Sequence, residues 1–218
     1  MNGVLINVFN HRERLLAALR TGDDLAPLVR RMVSVSFMCA LLYGAVLGMQ
    51  MGGWQVVSSP VKLPLILLGT GVLCVGALYV LLALAVTRLR WLQVVGLALC
   101  SVSASAATMA ALLPLTAFWT CVFPAGDRAV VTLTHSAAFV VAGAVGAGFG
   151  MEMAAALFQE RRVRGAMLVW MWIYGLVAQQ MAYLFRPFFH PTSVFMRPLG
   201  SGGSALEVWY RLLAEFLR

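Results

Sequence analysis

A chain of 218 residues that is 61% apolar and only 11% charged cannot clothe an ordinary aqueous surface, because a soluble domain devotes about a quarter of its residues to charge. Mean hydropathy is +0.88, and the charges sit in short stretches between long apolar runs, as in a chain whose main solvent is lipid. The net charge of +8 does not indicate nucleic acid: all but one of the sixteen basic residues are Arg, they gather at the ends of apolar runs, and no nucleic-acid-binding module is present.

Residues 3–20 read as an amphipathic helix lying on the membrane. Val4, Leu5, Val8, Phe9, Leu15, Leu16 and Leu19 recur at helical spacing, while Arg12, Glu13 and Arg14 make the segment too charged to span and unlike a cleaved signal. Gly22 ends it, and Asp23 or Asp24 can cap the next helix. Residues 1–31 thus form an N-terminal interfacial segment, 32–187 a bundle of about five spans, and 188–218 an aromatic, Pro-rich tail.

The first span is expected at about 32–51, followed by an outer turn, MGGWQVVSSP, with Trp54 at headgroup level. The second runs from about 63 to 86, flanked by Lys62 and by Arg88 and Arg90. A third apolar stretch, 92–123, is longer than one straight crossing needs, and Pro114 offers either a kink or a break into an interfacial segment. Spans four and five follow at about 130–158 and 166–185, separated by Arg161, Arg162 and Arg164. In the tail, Ser204 and Glu207 form a capping box for a second amphipathic helix with Leu206, Trp209, Leu212, Leu213 and Phe216 on one face. The expected fold is therefore an all-α polytopic bundle with interfacial helices at both termini. Counting basic residues in the connections places ten on the side of the N-terminus and six on the other. That makes the N-terminus cytoplasmic and the C-terminus extracytoplasmic.

Helices in lipid associate through small residues that let backbones approach. Ala138, Ala142, Gly146, Gly150 and Ala154 form such a stripe with period four. Gly96, Cys100, Ala104 and Thr108 form another, and Ala40, Gly44 and Gly48 a third. Each can hold a monomeric bundle together or serve as a partner or self-association interface; period alone does not separate the two. The four cysteines, Cys39, Cys74, Cys100 and Cys121, read as small buried apolar residues.

Polar groups at membrane depth are costly and mark structural glue or function. His135 in span four and Gln179 and Gln180 in span five fall at similar depth and are expected to bond across the two helices. Glu152 lies near the depth of Ser101 and Ser105, or reaches the arginine cluster. Arg186, His190 and Arg197, in the segment FRPFFHPTSVFMRP, suggest a cap over the outer face and a candidate partner contact. There is no HExxH, GxSxG, P-loop or Cys/His metal spacing, so no catalytic residue, cofactor or metal is expected.

The stretches SPVKLPLILL (59–68) and ALYVLLAL (77–84), and the exit AQQMAYLFRPF with a second Arg-Pro at Arg197 and Pro198, resemble bacterial members of the Yip1-like membrane proteins. The resemblance implies a five-span fold with a cytoplasmic N-terminus, in a bacterial inner membrane, without an established activity. The long cytoplasmic N-terminal region through which eukaryotic relatives serve trafficking and small GTPases is missing. The leading expectation is a non-enzymatic accessory or scaffold subunit contacting lipids and other membrane subunits. The alternative is a small transporter or channel with a polar path through spans four and five.

Overall fold

The computed structural model describes residues 12–22, 25–86, 88–122 and 128–185. Among them are six helices and no strand: α1 (Arg12–Thr21), α2 (Leu25–Met51), α3 (Gln55–Ala83), α4 (Trp91–Val122), α5 (Arg128–Phe158) and α6 (Arg161–Leu184). Helices α2 to α6 are each long and apolar enough to cross a membrane, so the expected all-helical, five-span architecture is the one that forms. With 24 residues in α6 and 32 in α4, these helices exceed the ~20 residues that cross a hydrocarbon core, and their ends reach the headgroup zones. The C-terminal amphipathic helix expected after residue 200 lies outside the described residues.

Successive spans run up and down. Between α2 and α3 the reversal takes three residues, 52–54, where Gly52 and Gly53 adopt φ of +68° and +57°. A residue with a Cβ reaches such values only at a cost. Gly52 N–H closes α2 by donating to the Gly48 carbonyl at 3.0 Å.

Expected boundaries move: the first span begins at Leu25 rather than near residue 32. The second span begins at Gln55 rather than near residue 63, and Pro60 and Pro64 lie inside the helix. Each proline forfeits a bond to the carbonyl four residues back, yet α2 packs closely along this segment. A Cβ at Gly44 would lie 2.6 Å from the Ser59 carbonyl oxygen and 2.9 Å from Pro60 Cα, and one at Gly48 would meet the Gln55 carbonyl. Backbone-to-backbone packing therefore accompanies the helix through its prolines, and Lys62 falls within the span instead of flanking it. In α4 the helix continues through Pro114 to Val122, so the chain does not break there.

Helix α4 is the centre of the bundle. It packs against α1, α2, α3 and α5, while α6 leans on α3 and α5. Of its membrane-crossing stretch 67% is buried, against 17% for α6. The stripe on α5 makes its contact with α4: Ala138, Ala142 and Ala154 are buried, and Cβ atoms at Gly146 and Gly150 would run into Ser105 and Ser101. Gly44 and Gly48 do the same for α2 against α3. Among the described residues these small-residue positions pack within the chain.

Helix α1 also departs from expectation. Leu15 and Leu19 are 5% and 0% exposed and join one core cluster with Leu25, Val94, Leu97 and Met153, so the bundle, not lipid, receives them. Arg20 Nη2 donates to the Ala156 carbonyl (2.7 Å), and Gln93 Nε2 donates to that of Leu19 (2.8 Å). Residues 1–11, the rest of the expected amphipathic segment, lie outside the described part.

Substituting Gly150 by Leu is expected to destabilise the bundle by about 1–3 kcal/mol, the usual cost of overpacking. Gly143→Leu on the same helix should stay within about 0.5 kcal/mol of wild type, because nothing lies within 4 Å of a Cβ there. Thermal unfolding in detergent compares the two; equal losses would contradict the packing described.

Candidate functional site

Two groups of buried polar side chains occupy the half of the bundle remote from the arginine-rich helix ends. The first ties three helices together. Tyr43 on α2 is 1% exposed and its hydroxyl lies 2.9 Å from Nδ1 of His135 on α5, itself fully buried. The rings meet edge to face with centroids 5.6 Å apart. From α4, the Thr116 side chain also hydrogen-bonds Tyr43, while its hydroxyl donates to the Leu113 carbonyl at 3.1 Å, beside Pro114.

The second group runs along α3. Ser58 and Ser59 donate to Oε1 of Gln55 at 2.9 and 3.2 Å. Gln55, Ser58, Ser59, Lys62 and Thr70 are all between 0% and 2% exposed. The spacing of the first four, at i, i+3, i+4 and i+7, puts them on one helical face. Below them Ile66 packs with Leu47, Met181, Ala182 and Phe185. Lys62, the chain's single lysine, thus lies on an inward face of a membrane-crossing helix. Burying such a cation is expensive, which makes the position informative. Between α2 and α4, Ser36 and Ser103 hydroxyls share a 2.9 Å bond.

These contacts revise the sequence-based site. His135 is buried as expected, but its bond to Tyr43 is made across to α2. Gln179 is exposed and Gln180 half-buried on α6, and α6 is fastened to α3. There, Trp170 Nε1 donates to the Cys74 carbonyl at 2.8 Å and the Tyr174 hydroxyl to that of Leu67 at 2.9 Å. Glu152 is exposed, while Ser101 and Ser105 face Gly150 and Gly146. The four polar residues expected to line one path therefore do not share an interior. Arg186, His190 and Arg197 lie outside the described residues. Tyr43, Thr116 and the buried face of α3 were missed, although the polar spacing 55, 58, 59, 62 is itself helical.

Cys39, Cys74 and Cys100 are buried and Cys121 is exposed, all as free thiols. Among the described residues no three His, Cys, Asp or Glu side chains come together as a metal site requires. Comparison with protein-family models, with curated proteins and with solved structures finds no match to this chain. Function has to be argued from the residues themselves.

A double-mutant cycle on Tyr43→Phe and His135→Phe is expected to yield a coupling of about 0.5–2 kcal/mol, the range for hydrogen bonds between membrane helices. The readout is unfolding free energy in mixed micelles; additive losses would show that the two side chains do not support one another.

Proposed function

We propose that this chain is a non-enzymatic accessory or scaffold subunit of a larger membrane assembly, with a partner helix seated on α6. The observation that carries the reading is the division of α6 into two faces. Val163, Met167 and Trp170 are buried towards the bundle. Leu168, Trp172 and Leu176 on the other side are 48%, 75% and 52% exposed. Gln179 continues that outer face, exposed and without a partner among the described residues. An amide left in hydrocarbon loses its hydrogen bonds, and a polar side chain on a neighbouring span restores them. The stripes that glue helices together are already occupied within the chain, so an assembly contact has to use a different surface.

The basic residues support an orientation with the N-terminus in the cytoplasm, since Arg30, Arg31, Arg88, Arg90, Arg161, Arg162 and Arg164 project from one end of the bundle. Kinship with bacterial Yip1-like proteins rests on the five-span layout together with the segments 59–68 and 77–84. It carries the expectation of a bacterial inner membrane.

A second reading, transport, draws on the buried Lys62 and its polar face on α3 instead of the expected path through α5 and α6. Lys62→Met should then abolish flux in liposomes while leaving the chain folded.

Gentle extraction from the native membrane is expected to recover a stoichiometric partner with the chain. Gln179→Leu combined with Trp172→Ala should reduce that recovery roughly fivefold or more, a loss equivalent to about 1 kcal/mol, without changing the melting temperature. A partner-free monomer, or full recovery with the doubly substituted chain, would overturn the proposal.

A further inference from the structure

We propose that a cavity at the arginine-rich end of the bundle, between Gly22 and Leu25 on one side and the first turn of α4 on the other, binds the phosphate of an anionic phospholipid. The cavity has a volume of about 300 Å³ and is lined by Gly22, Leu25, Arg90, Trp91, Leu92 and Gln93.

Its polar wall is held in place before any ligand arrives. Arg90 Nη1 donates to the Thr21 carbonyl at 3.1 Å, which caps the C-terminal end of α1. Among the described residues that carbonyl is the one partner its side chain has, and a guanidinium carries five N–H donors in a planar fork that suits phosphate. Gly22, with φ of +79°, gives the guanidinium its room: a Cβ there would lie 2.7 Å from Nη1. Gln93 is fixed at both ends of its amide, accepting from Arg90 N–H at 3.1 Å and donating to the Leu19 carbonyl at 2.8 Å. Gln93 N–H and Val94 N–H both turn to the Arg90 carbonyl. As first-turn groups, the N–H donors of Trp91 and Leu92 have no carbonyl within the helix and add positive potential at the same spot.

The location selects a lipid over a soluble anion. The cavity lies where a membrane-crossing helix begins, at headgroup level. Trp91 and Leu92 are half-exposed beside it, and Trp91 packs against Tyr79 with ring centroids 5.4 Å apart. Aromatic rings of this kind sit at the membrane–water interface, and the leucine offers an apolar wall to the glycerol and upper acyl chain. At helix ends on the same side of the bundle, Arg30, Arg31, Arg88, Arg161, Arg162 and Arg164 are exposed and form no ion pair among the described residues. They provide the field that concentrates anionic lipid.

The test is retention of lipid by the purified full chain. The chain is equilibrated with mixed micelles containing phosphatidylglycerol or phosphatidylcholine, and bound lipid is counted by native mass spectrometry. One phosphatidylglycerol should be retained roughly fivefold or more in preference to phosphatidylcholine. Arg90→Gln keeps an N–H donor for the Thr21 carbonyl but removes the charge, and should erase the preference. Equal retention of the two lipids by wild type, or an unchanged preference in a folded Arg90→Gln chain, would overturn the proposal. Displacement of the lipid by millimolar inorganic phosphate would overturn the lipid as the source of the anion. If Arg90→Gln does not fold, the wild-type comparison and the phosphate competition decide by themselves.

Discussion

The close approach of α4 to its neighbours is the constraint on which the rest of the bundle depends. A helix surrounded by four others can be central only where side chains are small enough for backbones to come together. On α4 the sequence supplies Gly96, Cys100, Ser101, Ala104 and Ser105 for this purpose. In water, burial of apolar surface would drive such packing. In lipid it does not, because acyl chains solvate leucine as well as another helix does. Van der Waals contact at Gly146 and Gly150, the Tyr43–His135–Thr116 bonds, and the Ser36–Ser103 pair are what distinguish the folded arrangement from separated spans.

The same physics explains which parts of the structure were legible in the sequence. Span number and the small-residue stripes depend on composition and period, and both were readable. Span edges depend on whether Pro and Lys act as end signals. At Pro60 and Lys62 they do not, because Gly44 and Gly48 bring α2 against the proline-bearing turns and Gln55, Ser58 and Ser59 accompany the lysine on an inward face. The bond from His135 to Tyr43 was not legible for a different reason. Position along a helix gives depth but not direction. Which side chain His135 meets depends on the rotation of each helix about its axis, and that is fixed by packing with third helices. The sequence pattern of α5 shows its small face; it does not say that this face meets α4 and thereby turns His135 towards α2.

Helix α1 illustrates the limits of amphipathicity as a guide. A stripe of leucines with arginines around it has the same pattern whether its apolar side meets lipid or protein. Gly96 decides the matter by leaving a space for Leu19, since a Cβ there would lie 2.6 Å from Leu19 Cδ2. The hydrogen bonds that follow, from Arg20, Arg90 and Gln93, all end on backbone carbonyls at helix termini. Such carbonyls lack partners within their own helices, so the arginine-rich end is stabilised by satisfying them as well as by contact with the membrane surface.

The two ends of the bundle consequently handle polarity in opposite ways. At one end, long arginine side chains extend from helix termini, where water and headgroups solvate them at little cost. In the other half, histidine, tyrosine, glutamine, serine and the single lysine are drawn inward and removed from lipid. Interior polar bonds fix the relative rotation of α2, α4 and α5, because hydrogen bonds are directional where apolar contacts are not. Helix α6 takes little part in this: it is bound to α3 by Trp170 and Tyr174 and keeps most of its surface outside. A bundle whose internal geometry is set by the other spans can present that outer surface to a neighbouring helix without rearranging its core. The proposal that the chain is a subunit rests on that separation of a packed interior from an exposed flank.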